Sequence, residues 1–191
     1  MTEIFKKRVE TLLIYSLIFP ILGIVLSYYE GYSWISNSLS EFGLFSHFFN
    51  WGVIISGIVL GIFTMTTLTQ VRAGFWGRFL MLISSVSLIL IGVFRKDFPI
   101  PVHPAAAILF FFTLTSGQII LGKKVLKDCQ HVGYFTILTA LVIYSTWFSF
   151  LMVWLVDHRF GIAVPELISL ASTIIWIFVF INKYKINKNL N

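Results

Sequence analysis

Ser38, Ser40, Asp97, His103 and Glu166 are the side chains of this sequence whose types and placement could do chemistry. Asp97 and His103 share a connector with Pro99, Pro101 and Pro104; three prolines in six positions fix φ and remove donors, holding acid and imidazole at a set separation. Such a pair can act as an oriented general base, with a hydroxyl from Ser38 or Ser40 beside it and Glu166 as a second carboxylate. A second chemistry makes His103 a metal ligand: with His47, His158 and an acid it would offer zinc the nitrogen and oxygen donors of a tetrahedral site, although no HxxH or HExxH pattern is present. A third reading is structural. Asp97 pairs with Arg95 or Lys96, Asp157 pairs with Arg159, Glu166 caps the last helix, and the histidines sit at a wet interface. All three remain open at the level of sequence.

The elements that position these residues are set by composition. Of 191 residues 58% are hydrophobic and 12% charged, with a mean hydropathy of +0.90, so lipid is the solvent for most of the chain. A hydrocarbon core of roughly 30 Å takes about 20 apolar residues. Six stretches qualify: Thr11–Tyr29, Phe48–Thr69, Trp76–Phe94, Pro104–Gly122, Val132–Val156 and Pro165–Asn182. The expected fold is therefore all-α, a polytopic bundle of six transmembrane helices over residues 11–182, with a basic lead-in at 1–10 and a basic tail at 183–191. Short connections make successive helices antiparallel neighbours.

Charge sets the orientation. Eleven basic residues fall at the amino terminus (Lys6, Lys7, Arg8), in alternate loops (Arg72, Arg78, Lys123, Lys124, Lys127) and in the tail (Lys183, Lys185, Lys188), against Arg95, Lys96 and Arg159 on the other side. The positive-inside rule then puts both termini in the cytoplasm of a cell membrane. The net charge of +6 is an orientation signal, aided by anionic lipid, and no nucleic-acid module accompanies it. The first apolar run is too long for a signal peptide and should stay as a helix. The single Cys129 falls in a cytoplasmic loop, which excludes an intramolecular disulfide and any CxxC site.

Within this frame the stretch Ser33–Glu41, free of Lys and Arg, forms a lip after the aromatic cluster Tyr28, Tyr29, Tyr32 and Trp34, which suits the membrane interface. Were the lip helical, Ser36 and Ser40 would share one face and Asn37 and Glu41 another. Glu30, Glu41, Asp97, Asp157 and Glu166 all fall at this side, as do His47, His103 and His158. Glu41-Phe42 precedes His47 as Asp97-Phe98 precedes His103, a spacing that would fit a repeat of helical hairpins. Pro20 should kink the first span and free the carbonyl of Ser16. Gly57 and Gly61 permit close intramolecular helix contact, and Ser84, Ser85, Ser87, Thr113, Thr115, Ser116 and Gln118 read as interhelical hydrogen-bonding groups. Pro104 and Pro165 suit first helical turns, and Glu166, starting an apolar span, must face the bundle interior.

Gly31-Tyr32-Ser33-Trp34-Ile35-Ser36-Asn37-Ser38-Leu39-Ser40-Glu41, Phe49-Asn50-Trp51-Gly52, the segment from Gly92-Val93-Phe94 to His103, and Gly161-Ile162-Ala163-Val164-Pro165-Glu166 together resemble the prokaryotic, largely archaeal membrane family called domain of unknown function 998, distantly grouped with Frag1/DRAM/Sfk1 membrane proteins. The resemblance covers nearly the whole chain and implies a six-helix integral membrane protein. The chain is more remotely similar to the membrane hydrolases that include alkaline ceramidases and adiponectin-receptor-like proteins. That likeness implies Ser38 or Ser40, Asp97 and His103 around a zinc ion, but six spans instead of seven and the lack of paired histidines in the last helix depart from the pattern.

The leading expectation is an outward-facing polar pocket, built from Ser38, Ser40, Asp97, His103 and Glu166, that binds a membrane lipid or isoprenoid-type amphiphile and could modify it as a hydrolase or transferase. The alternatives are a non-catalytic membrane subunit or scaffold packing in a larger complex, and a small transporter or haem-bearing subunit; the expected partners are membrane lipid and either a second copy of the chain or a larger membrane complex. The cofactor is left unassigned, with zinc the one candidate.

Overall fold

The computed structural model describes residues 11, 12, 15, 18–26, 28, 31–70 and 74–189, without the side chains of Pro20, Thr67, Thr69, Gln70 and residues 183–189. The lead-in 1–10, Ser16, Tyr29, Glu30, Arg72 and the basic side chains of the tail lie outside the described residues. Every described element is helical: α1 Ile18–Leu26, a 3-10 turn Leu39–Glu41, α2 Phe42–Phe45, α3 His47–Gln70, α4 Gly74–Val93, α5 Val102–Val125, α6 Gln130–Val156 and α7 Ala163–Asn189. Five of these, α3 to α7, are long and apolar enough to cross a membrane. Of the expected first span the structure gives the helix Ile18–Leu26, with Thr11, Leu12, Tyr15 and Tyr28 as the other described residues, so the sixth crossing is not established by it.

Apolar side chains face outward as well as inward on these helices: Ile108, Phe112, Leu138 and Phe148 are all exposed. A helix apolar all round is what lipid selects. Consecutive helices pack side by side, α4 most closely on α3 and α5. The α3–α4 seam is where Gly57 and Gly61 act. A Cβ at Gly57 would come within 2.7 Å of Ile89 and 3.0 Å of the Ser85 carbonyl, and Ser85 Oγ donates to Gly57 O at 2.8 Å. The glycine pair thus serves packing within the chain. Other hydroxyls divide. Ser116 Oγ and Tyr144 OH join α5 to α6 at 2.6 Å, whereas Thr113 and Thr115 return to their own helix carbonyls.

α7 closes the bundle unevenly. Away from the lip it packs tightly, with the Trp176 indole donating to Thr136 Oγ1 at 3.1 Å and Phe180 edge-on to Phe63 at 6.5 Å between centroids. Toward the lip, α7 stands off from α3, α4 and α5, and a recess opens between them.

Candidate functional site

The lip is a turn followed by a 3-10 turn, in place of the continuous helix that would align Ser36 with Ser40. Ser33 and Asn37 close the turn, Asn37 N–H donating to Ser33 O at 2.9 Å and Ser33 N–H to Asn37 Oδ1 at 2.8 Å. Ser36 is exposed, and the buried hydroxyls are Ser38 and Ser40, 2.9 Å apart. Asn37 and Glu41 do meet, the amide donating to the carboxylate. Aromatic packing seats this segment: Phe42, fully buried, stacks on Tyr32 at 4.4 Å, and Trp34 stands edge-on to Tyr32 at 5.1 Å.

Two distant segments pin the lip. Gly161 N–H donates to Ile35 O at 2.6 Å and Ala163 N–H to Asn37 O at 3.0 Å. A Cβ on Gly161 would collide with the backbone of Ser36 and Asn37, so the close approach requires glycine. One turn further on, Glu166 Oε2 accepts the Leu39 N–H at 2.7 Å. Glu166 is therefore not a cap of its own helix, as the structural reading of the sequence has it; it satisfies a backbone donor of the lip. From the other side Lys96 Nζ reaches Glu41 Oε1 at 2.6 Å and Ser38 Oγ at 3.1 Å. Burial alone would raise the Glu41 carboxyl, but the hydrogen bonds from Lys96 and Asn37 and the Lys96 charge outweigh it and hold its pKa below the ordinary value.

His103 lies in the first turn of α5, where Pro104 also fits, and is 7% exposed. Its Nδ1 is 2.8 Å from Phe94 O and 3.1 Å from Ile91 O, carbonyls at the end of α4 that lack helical partners. Both partners are acceptors, so Nδ1 carries the hydrogen and, in the neutral ring, Nε2 is a bare acceptor. The end of α4 orients the imidazole through backbone carbonyls, and Asp97 does not. That acid pairs with Arg95 at 2.8 Å on the exposed surface, and neither residue lines the recess. Asp157 likewise pairs with Arg159 at 2.7 Å, whose guanidinium holds the aspartate below the usual carboxylate range. The structural reading thus holds for these two acids.

The recess contains about 910 Å³ of space, part of it open. Ser40, His103 and Glu166 stand at its lip end, and Leu60 and Ile177 lie deepest. On α7 the lining residues Glu166, Ser169, Leu170, Thr173 and Ile177 follow helical spacing, a stripe visible in the sequence but not singled out there. From Glu166 to Ile177 the stripe runs about 16 Å at the helical rise. Ser169 and Thr173 are turned back on the carbonyls of Pro165 and Ser169 at 2.7 and 2.8 Å, so below the lip the α7 side of the wall is functionally apolar.

A zinc site does not assemble from the donors expected for it. His47 and His158 are exposed, the latter edge-on to Trp154, while His103 is buried, and no group of three His, Cys, Asp or Glu that could hold a metal occurs among the described residues. The spacing shared by Glu41–His47 and Asp97–His103 marks no structural repeat either, since Phe42 is core and Phe98 is 43% exposed.

Five apolar helices and a lip folded over a recess between them define a multi-pass helical membrane protein. Residues 13–182 match the family model described as Protein of unknown function (DUF998), and the chain belongs to that family. No curated protein and no solved structure matches it.

Proposed function

We propose that this protein crosses the cell membrane six times, with both termini in the cytoplasm, and seats a long-chain amphiphile in the recess between α3, α4, α5 and α7. The observation that carries the reading is the recess itself, a largely apolar space between four helices with Ser40, His103 and Glu166 at its lip end. That polarity matches a molecule with a hydrocarbon chain and one polar end. Buried polar groups within a membrane bundle are costly, and their grouping at one level supports a binding role.

Chemistry on the bound molecule would fall to the residues at its polar end. Ser40, His103 and Glu166 line the recess, and Ser38 lies one hydrogen bond behind Ser40. Asp97 stands outside this group, and its assignment as the acid that orients His103 passes to the carbonyls of Ile91 and Phe94.

Ala107 lines the recess, and Ala107→Trp fills it. Protein purified in mild detergent should release a long-chain species on solvent extraction, seen by mass spectrometry, and the Trp variant should lack it at unchanged thermal stability. Equal extracts from both proteins would overturn the reading. Reporter fusions at each terminus test the topology, and a reporter active outside the cytoplasm would refute it.

A further inference from the structure

Resting on the reading of the recess as an amphiphile seat, we infer that the polar end it accepts is an uncharged hydroxyl, as in a long-chain or prenyl alcohol, and not a phosphate. The inference comes from which polar atoms are already engaged. Lys96, the cation nearest the lip serines, is occupied by Glu41 at 2.6 Å and Ser38 at 3.1 Å. No Lys or Arg among the described residues lines the recess. A phosphate placed there would lose its water with no cation to replace it, beside the carboxyl of Glu166.

The atoms left to meet a ligand are of another kind. His103 Nδ1 is spent on Phe94 O and Ile91 O, and Glu166 Oε2 on Leu39 N–H. Among the described residues His103 Nε2 and Glu166 Oε1 make no hydrogen bond, although the two side chains are 7% and 8% exposed. Both residues line the recess beside Ser40. A hydroxyl can donate to the bare Nε2 or to Glu166 Oε1 and accept from the Ser40 hydroxyl beside them, so one neutral group engages this set. An ether or a hydrocarbon end leaves the imidazole acceptor unmet, which is penalised when the group is buried.

The test is native mass spectrometry of the full chain in detergent, titrated separately with geranylgeraniol, geranylgeranyl phosphate and geranylgeranyl amine. The alcohol should bind about tenfold or more tightly than the phosphate, and more tightly than the amine, whose ammonium must also give up its water to enter an apolar recess. His103→Asn, whose amide can still donate to the α4 carbonyls, should weaken the alcohol about tenfold and leave thermal stability within the range of the parent. Glu166→Gln, which keeps an acceptor for Leu39, is the second variant and should act in the same direction. Phosphate or amine binding as tight as the alcohol, or alcohol binding indifferent to both variants, overturns the inference while the amphiphile seat stands. Failure of all three compounds to bind, with no lipid in the extract of the parent protein, overturns the seat as well.

Discussion

Glu166 and Leu39, 127 residues apart in the chain, are joined by a 2.7 Å hydrogen bond from a lip N–H to a buried carboxyl oxygen. That bond ties the first turn of α7 to the segment that carries Ser38 and Ser40. Glu166→Ala should cost about 1–3 kcal/mol, because it leaves a buried backbone donor unpaired. Glu166→Gln should restore most of the loss. Hydrogen exchange at the Leu39 amide reads the bond directly: faster in the Ala variant, near parental in the Gln variant. Parental protection in the Ala variant would show that the bond does not hold the lip.

Gly161 makes the second tie, and its role is steric. With no Cβ it lets its N–H come within 2.6 Å of Ile35 O, and an added methyl would strike the backbone of Ser36 and Asn37. Gly161→Ala should destabilise by about 1–3 kcal/mol through overpacking. Gly31 makes a useful control: its φ is +93° but no atom lies within 4 Å of an added Cβ, so Gly31→Ala strains the backbone without displacing a neighbour. The two variants should differ in exchange at Ile35 to Asn37, rising only for Gly161→Ala. The same pattern from both would remove the steric account.

Much of this arrangement was legible in the residues, for physical reasons that differ from place to place. The long spans are readable because lipid leaves a backbone no partner but itself, so apolar runs of sufficient length become helices. The cost of a carboxyl on a lipid-facing span turns Glu166 inward, and it is 8% exposed. Asp97 pairs with Arg95, two residues away, as the structural reading of the sequence has it, and the spacing of Asp97 to His103 by itself does not decide between the two partners. The choice of Ser38 over Ser36 as the partner of Ser40 depends on a lip shaped by Gly161, Ala163 and Glu166, contacts more than 120 residues distant that no local pattern encodes. The α7 stripe, by contrast, needed only helical spacing from Glu166.

The ion pair of Lys96 with Glu41 gives the lip a pH dependence whose sign is fixed. The folded-state pKa of Glu41 is lowered from its ordinary 4.5, so its stabilising contribution is present above that value and is lost as pH falls through the lower folded-state pKa. Lys96→Met should lower the melting temperature at neutral pH, modestly, since the Lys96 side chain is 43% exposed and its charge screened. The gap between variant and parent should shrink as pH falls from the ordinary 4.5 through the lower folded-state pKa, where Glu41 takes up its proton and the pair is lost in the parent too. Melting curves of both proteins across acid pH check this. A gap that widens on acidification would reverse the sign and remove Glu41 as its source.

Gln118 provides a prediction of gain. It is fully buried in α5 beside the core that Leu114 and Leu121 build, and neither its amide nitrogen nor its oxygen has a hydrogen-bond partner among the described residues. Both atoms therefore carry a desolvation cost that no described residue offsets. Leucine fits a similar volume and has nothing to satisfy. Gln118→Leu should stabilise the purified protein by about 1–3 kcal/mol, the cost of leaving buried polar groups unmade. Because Gln118 does not line the recess, amphiphile binding should be unchanged. A lower melting temperature in the Leu variant would show that the amide is satisfied in the membrane and contributes to the fold.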